Sequence, residues 1–346
     1  MRQRPIVLYF VVMTGVFFIS RFSFGQIIRH QAFAFLNLPQ NVQIAALGGI
    51  STSVRQTDVN NLWVSPALAD SNQRNRASLS ISPYLATTQL VSMAYSLPFQ
   101  TRGTWAVGLQ YLNYGTMPQT DAAGNQTGTF TAADYALAGS YAQTEGAFTL
   151  GSNLKIVGSG IESYQSWAIV ADVGGVFRHP KKDLSVGLVI KNIGVVFKPY
   201  FTDSQLNTPI DVQLGVSVKP QFMPFRFSLT AHRLYQWNIV YNDPALNYGF
   251  DANGNKITIK TTVIERLARH LVFGVEAMAH KNIRVMLGYN HLRRQELRLL
   301  NVSSLSGLSG GVVFENQKIN LGYAYSSYHV AGGLHTFSFG VSLKKY

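Results

Sequence analysis

The sequence contains no cysteine, and only 13% of its 346 residues are charged. The absence of cysteine excludes disulfide bonds and thiolate metal sites. The low charge, together with 21 Phe and 17 Tyr residues, excludes an intrinsically disordered chain and argues against an ordinary soluble enzyme. The stability of the protein must therefore come from a large structure that closes its own hydrogen bonds.

The apolar run at the amino terminus is too short for a transmembrane helix. Residues 6–19 are mostly apolar, which falls short of the roughly 20 residues that a spanning helix needs, and Arg21 follows them. Arg2 and Arg4 precede the run, and small residues follow it. This arrangement predicts a signal peptide over residues 1–25, with an uncleaved membrane anchor as the alternative.

Positive charge exceeds negative charge in the exported chain. Removing residues 1–25 takes away three of the 29 Lys and Arg residues and none of the 16 Asp and Glu residues, which leaves a net charge of +10. This excess indicates an anionic neighbour, and acidic lipid or polysaccharide suits an exported chain. No basic run carries the interleaved aromatics of base stacking, so no nucleic-acid partner is expected.

Polar and apolar residues alternate in successive segments from Ala77 to the carboxyl terminus. The alternation predicts strands with one apolar and one polar face. It is clearest in the segments 212–218, 225–230, 283–290, 319–326 and 335–343. A soluble β-sandwich alternates in the same way, so the period alone does not decide whether the apolar face meets a core or lipid.

Three features favour a membrane barrel. The segments have about ten residues, and at about 3.3 Å per residue with a tilt near 45° they rise roughly 25 Å, the height of the apolar band of a barrel. Aromatic residues such as Phe225 and Tyr325 lie near segment ends, where interfacial girdles belong. Every second link is a short turn, whereas long links fall at 115–131, 194–209, 237–269 and 293–305.

We therefore predict an all-β fold, a transmembrane up-and-down β-barrel of about 14 antiparallel strands over residues 77–346 of a bacterial outer-membrane protein. The last strand pairs with the first and so removes the open edge of the sheet. The apolar rows face lipid and the polar rows face the interior. Predicted inward residues are Gln213, Ser217, Lys219, Arg226, Arg284 and Asn320.

The segments that connect and precede the strands have their own predicted roles. The four long links are expected to be extracellular loops, with small hairpins at the tips 121–125 and 251–255, where Asn253-Gly254 is a strong turn signal. Residues 26–76 combine short-helix and turn residues instead of alternation. They are predicted to form a compact amino-terminal plug.

Motifs for catalysis or metal binding are weak. Residues 307–311 match a nucleophile elbow, but a strand follows where that motif needs a helix. Residues 251–255 open like a calcium loop, yet Lys256 and Thr262 occupy the positions that need glycine and a bidentate glutamate. The eight histidines lack the helical spacing of a zinc site. No catalytic residue, metal site or cofactor is predicted.

Six ionisable residues are predicted to gather near the outer rim of the barrel: His232, Arg233, His291, Arg293, Arg294 and Glu296. Two interpretations stay open. The first is solvated rim and lumen charge, which the sequence favours. The second is a dedicated anion site.

Several short motifs resemble a known family. Residues 45–49, Asp58 and residues 65–68 resemble the amino-terminal signature of FadL-like barrels, in particular the PorV/PorQ group of the type IX secretion system. Ser65 stands where that signature has Asn before Pro-Ala, which weakens any ligand role of the plug. Residues 270–276, 288–291 and 335–338 are more similar to the PorQ branch of the group.

The resemblance implies a role as well as a fold. It implies a 14-stranded outer-membrane barrel with a plug that carries out no bond chemistry. It also implies association with a PorZ-like surface protein and, through it, with PorU- and PorV-like proteins. Those proteins attach secreted cargo to anionic lipopolysaccharide at the cell surface.

On this hypothesis the loop 237–269 binds the surface partner, through Trp237, Tyr241, Tyr248, Phe250 and Asn253. The main rival is a FadL-type channel for hydrophobic small molecules, which needs an apolar lumen pocket and a lateral opening at a kinked strand. The predicted polar interior argues against it. A surface enzyme is a third hypothesis and requires Ser, His and carboxylate groups that converge at the rim.

Overall fold

The computed structural model describes residues 31–69, 73–84, 87–98, 103–202, 204, 206–240, 248–250, 256–258, 262–297, 305–329 and 332–343. For residues 248–250 and 256–258 it describes the backbone. The predicted signal peptide, residues 1–25, and the loop tip 251–255 lie outside the described residues.

Fourteen antiparallel strands form one closed barrel, in which the last strand pairs with the first. The barrel strands are β1 (Arg76–Pro83), β2 (Gln89–Ser96), β3 (Gly103–Thr120), β4 (Gln126–Glu145), β5 (Phe148–Ile161), β6 (Tyr164–Arg178), β7 (Leu184–Lys198), β8 (Asp211–Val218), β9 (Phe225–Ala231), β12 (Leu271–His280), β13 (Ile283–Asn290), β14 (Leu308–Glu315), β15 (Ile319–His329) and β16 (Gly332–Ser342). In the closing pair, Leu79 lies opposite Phe339. The predicted barrel and its closure are confirmed.

The two ends of the barrel differ. At one end the strands are joined by short turns, such as residues 146–147, 179–183 and 281–282, and we call it the short-turn end. The opposite end, the long-loop end, carries the extended connections. One of these contains a separate two-stranded sheet of β10 (Tyr248–Phe250) and β11 (Lys256–Thr258), which is the hairpin predicted from Asn253-Gly254.

The apolar rows of the strands face outward as predicted, and the inward rows are polar on strands such as β8 and β16, whereas on β2 to β6 they mix polar residues with small and apolar ones such as Ala94, Leu112 and Val170. On β8, Leu214 is 43% exposed whereas Gln213 is 4% exposed. On β16, Phe337 is 49% exposed whereas Thr336 is fully buried. A water-soluble sandwich would bury the apolar rows, so this arrangement matches a wall that meets hydrocarbon.

Two predicted boundaries are wrong. The hairpin turn predicted at 121–125 is confirmed, but the strands next to it are longer than predicted, because β3 continues to Thr120 and β4 begins at Gln126. The sequence predicts that the strand around 283–290 extends over 282–292, but β13 ends at Asn290, where a helix begins. The Asn290 side chain accepts a hydrogen bond from the backbone N–H of Arg293 at 3.0 Å and so caps that helix.

The helices of the protein are short. They are α1 (Val42–Ala46), α2 (Val263–Arg269) and α3 (His291–Glu296), together with 3-10 turns at Ala34–Asn37, Val59–Trp63 and Pro66–Leu68. In the described part of the chain, no helix is long and apolar enough to cross a bilayer.

The described plug, residues 31–69, fills the interior of the barrel. Trp63, Leu62, Phe35 and Leu36 are buried against small inward residues of the wall. α1 packs on β13 to β16, and the 3-10 turn Pro66–Leu68 packs on β4 to β6. Because the plug has little regular structure, most of its backbone groups need partners from elsewhere.

Inward polar side chains of the wall supply many of those partners. Ser309 accepts a hydrogen bond from Gly48 N at 3.0 Å and donates one to Ala46 O at 2.9 Å. Ser326 donates to Ala45 O at 3.0 Å, and Asn290 donates to Gly48 O at 3.0 Å. The polar inner row therefore binds the plug instead of lining an open channel.

Candidate functional site

The structure brings the six predicted rim residues to one side of the long-loop end. His232 and Arg233 follow β9, and the other four belong to α3. α2 packs against α3 and adds Glu265 and Arg269, which the sequence analysis missed. We call these eight residues the mouth cluster. Whether it binds a ligand stays a prediction.

Glu265 connects the two helices of the mouth cluster. Its Oε2 lies 3.0 Å from His291 Nε2, and its Oε1 accepts a hydrogen bond from Arg269 Nε at 3.1 Å. Burial alone would raise the pKa of Glu265, but the hydrogen bond and charge of His291 and those of Arg269 lower it below its ordinary value. Glu265 and Arg269 have the spacing of a helical ion pair, and Thr262 caps α2 through Glu265 N. This ion-pair spacing and this cap residue are the features of the sequence that could have predicted α2 and its two charged residues.

α3 also contacts the plug, through Arg293. The Arg293 guanidinium lies 4.1 Å from the centre of the Tyr328 ring, a cation–π contact, and next to Gly49. Its Nη1 is buried and has no hydrogen-bond partner among the described residues. Arg294 lies against Gly307, and Glu296 is exposed. The cluster is therefore in part structural.

His232 and Arg233 form a tight bend after β9. Arg233 has a positive φ of 53°, and its N–H donates to Asp211 Oδ1 at 2.6 Å. His232 is 2% exposed, and its carbonyl oxygen lies 2.8 Å from His270 Nδ1. Burial, and then the positive charges of Arg233, His270 and Arg293, lower the pKa of His232 to about 3.

Acidification is expected to destabilise the protein through His232. Because its folded-state pKa lies below the ordinary value of 6.5, the unfolded chain binds the proton first. The contribution of His232 to the free energy of unfolding is fully present above pH 6.5. It is lost as the pH falls from 6.5 toward 3, by at most about 1.4 kcal/mol per pH unit. Urea unfolding at about pH 7.5 and about pH 5 measures this slope. The slope should shrink in His232→Gln but not in His335→Gln, whose ring is exposed; equal slopes in all three proteins would contradict the assignment.

Only one of the five predicted partner-binding side chains is described. Trp237 is 60% exposed, and its ring stacks beside His270 with the ring centres 6.4 Å apart. Tyr248 and Phe250 belong to β10, whose backbone alone is described. Tyr241 and Asn253 lie outside the described residues. Trp237 thus lies at the long-loop end, next to His270, and the role of this loop in partner binding stays a prediction.

Ser309, the nucleophile of the elbow-like motif, lies on β14 and points into the plug. Its hydroxyl is occupied by Gly48 N and Ala46 O. Among the described residues, no three His, Asp or Glu side chains are close enough together to hold a metal ion.

Comparison with known proteins gives matches in structure only. No protein-family model matches the sequence, and neither does any curated protein. The Ralstonia pickettii toluene transporter TbuX aligns with a TM-score of 0.53 at 10% identity, over 89% of this chain and 100% of that chain. The P. putida toluene transporter TodX gives 0.52 at 11% identity, over 90% and 100%. A Pseudomonas aeruginosa FadL homologue gives 0.50 at 9% identity, over 88% and 98%.

The fold is that of the FadL-type outer-membrane barrels. At these identities the likeness establishes the fold alone, and it supports an outer-membrane location. It says nothing about cargo or partners.

The wall of this FadL-type barrel is continuous along the membrane half of β3. β3 pairs with β2 from Ala106 to Asn113 and with β4 from Gly103 to Asn113, and its first register shift comes after Asn113. Behind this wall, a Cβ on Gly108 would lie 3.0 Å from the Trp63 ring. Over these described residues β3 has no kink that would open the lumen sideways.

Proposed function

We propose that the protein is a plugged outer-membrane barrel of the type IX secretion system that anchors surface proteins and so supports attachment of cargo to the cell surface. One observation carries the proposal. The plug fills the lumen, and the wall hydrogen-bonds to the backbone of the plug. The helices α2 and α3, the β10–β11 hairpin and the exposed Trp237 all lie at the long-loop end. Such a barrel offers a surface platform and not a passage.

The sequence motifs of the plug and of the last strands support the choice of system. On this proposal the direct partner is a PorZ-like surface protein, with PorU- and PorV-like proteins joined through it, and lipopolysaccharide surrounds the barrel. The protein itself carries out no bond chemistry.

A FadL-type channel for hydrophobic small molecules is the second candidate. The likeness to two toluene transporters favours it. An apolar groove of about 480 Å³ on the outer wall, lined by residues such as Leu79, Met93, Val107 and Phe339, belongs to the outward rows and does not supply the apolar lumen pocket that a channel needs. The filled lumen favours the anchor, and so does the unbroken pairing of β3, whereas β6 and β7 shift register between Ala171 and Val173. A hydrophobic molecule found inside the purified barrel by mass spectrometry would favour the channel.

The proposal places the long loops outside the cell, and labelling tests this directly. Because the chain has no cysteine, single substitutions give one reactive thiol each. On intact cells an impermeant maleimide is expected to label Ala122→Cys, in the long-loop ribbon, and not Lys182→Cys, in a short turn. Both should react after the outer membrane is permeabilised. The reverse pattern on intact cells would invert the orientation.

Deleting residues 247–259 is expected to release the surface partner while the barrel still assembles, because β10 and β11 lie outside the barrel sheet. The measurement is affinity purification from native envelope with mass spectrometry of the proteins that co-purify. The control deletes residues 119–128, which shortens the β3–β4 ribbon at a paired position. Retention of the partner by the first variant, or its equal loss from both, would contradict the platform.

A further inference from the structure

The short-turn end carries a cavity of about 300 Å³ between the plug and the wall. The plug contributes Arg55, Gln56 and Thr57 to it. The wall contributes Arg226 from β9 and Arg284 from β13, with Glu315 beside them. His280 and Lys281 border it at the turn between β12 and β13. Cationic groups therefore dominate its lining.

The two wall arginines are held by three carboxylates, of which they share Glu276. Arg226 contacts Glu276 at 3.2 Å and Asp183 at 2.8 Å. Arg284 contacts Glu315 at 2.5 Å and the same Glu276 at 3.8 Å. A guanidinium has five N–H donors, so these contacts leave each arginine with donors for a ligand. The side chains are 12% and 16% exposed, which makes their N–H groups partly desolvated and strengthens any added anion contact.

Gln56 contributes a buried polar residue to the lining of the cavity. The residue is 2% exposed, and its Oε1 accepts a hydrogen bond from Asn41 at 3.2 Å. Its Nε2 is buried without a partner among the described residues. Because this atom is closed off from solvent, it does not reach the space that a ligand would fill.

Positive charge continues around the cavity. Lys181, Lys182, Lys219, Lys281 and Lys318 lie on or beside the turns of this end. The carboxylates described there are Glu145, Asp183, Glu276 and Glu315, together with the buried Asp58 of the plug, which interacts with Glu315. The surplus favours an anionic ligand, and the interspersed carboxylates disfavour a uniformly charged polyanion.

We propose that this cavity binds an acidic peptide segment of a soluble partner protein on the short-turn side of the membrane. Arg226 and Arg284 belong to inward rows, so the wall separates them from lipid headgroups. About 300 Å³ holds roughly ten waters, more than a single small anion fills. The inference is independent of the proposed function, which concerns the opposite end.

The test uses the full-length protein in a neutral detergent and a fluorescein-labelled hexaglutamate peptide, with hexaglutamine as the uncharged probe. Saturable binding of hexaglutamate is expected, weakened about tenfold or more in the double variant Arg55→Gln with Lys281→Gln. The matched control, Lys198→Gln with Arg266→Gln, removes the same charge at the long-loop end. It is expected to leave the affinity nearly unchanged.

Three results would overturn the proposal. Equal weakening in both double variants would mean diffuse electrostatic attraction. Absence of saturable hexaglutamate binding would remove the site. If the cavity variant instead changes the affinity for vesicles with anionic lipid and not for hexaglutamate, this end is a membrane-contact surface.

Discussion

Replacing Gly187 with valine is expected to displace the plug and open the barrel to ions. Gly187 lies in the inward row of β7, and a Cβ there would collide with the carbonyl group of Thr52 and lie 3.4 Å from Ser53 Cα. These are backbone atoms, which cannot rotate away, and Ser185 holds Ser53 O at 2.6 Å on the same strand. Overpacking of this kind typically costs about 1–3 kcal/mol. The plug must therefore shift, while the hydrogen bonds between strands keep the barrel closed.

Planar-bilayer conductance and limited proteolysis of the plug measure this effect. The wild-type barrel should conduct little and resist cleavage within residues 31–69, whereas Gly187→Val should conduct and be cleaved. Gly139→Val is the matched control, since Gly139 lies in the outward row of β4 and a Cβ there meets no atom within 4 Å. Conductance that rises equally in both variants, or in neither, would show that the plug does not depend on this close approach.

Gly187 also illustrates a feature of the interior that the sequence could not predict, namely the path of the plug along the wall. Alternation placed the inward row correctly, because a two-residue period fixes the face of every residue in a strand. It did not say why glycines such as Gly187 and Gly288 stand in that row. The reason is the path of the plug, whose backbone passes against them, and that path is set by tertiary contacts and not by local pattern.

The wrong boundaries have local causes. Residues 116–120 and 126–131 are paired strands, but most of their side chains are exposed on both faces. A strand whose two faces are both exposed to solvent has no apolar row, so a pattern of alternating polar and apolar residues cannot identify it. At 289–292 the alternation breaks, because Asn290 and His291 are both polar, and the Asn290 cap ends β13 and starts α3.

Six of the eight residues of the mouth cluster could be predicted from the sequence. The strand ends bring His232 and His291 to the same end of the barrel, which follows from an up-and-down order. Glu265, which contacts His291, lies at the end of a long connection whose route the sequence does not determine.

The substitution Asp172→Asn is expected to cost about 3–5 kcal/mol of the free energy of unfolding, because it leaves a buried ammonium without its counter-ion. Lys155 Nζ lies 2.6 Å from Asp172 Oδ2, and the two side chains are 1% and 0% exposed. Asp172 Oδ1 also accepts the N–H of Asn192 at 2.8 Å. Urea unfolding of the protein folded into lipid vesicles gives the free energy. Asp183→Asn is the control, since Asp183 is 52% exposed beside Arg226 and its loss should cost about 0–1 kcal/mol.

The double variant Lys155→Met with Asp172→Leu separates two explanations of that cost. If the penalty comes from the unpaired charge, removing both charges should recover much of the lost stability, because a buried ion pair is often no better than apolar residues of similar size. Recovery should be incomplete, since Asn153, which bonds both Asp172 and Leu62 O of the plug, loses a partner. A double variant as unstable as Asp172→Asn would instead mean that the carboxylate acts mainly by ordering Asn153 and Asn192. The polar interior would then be required to position the plug, and charge pairing would contribute little.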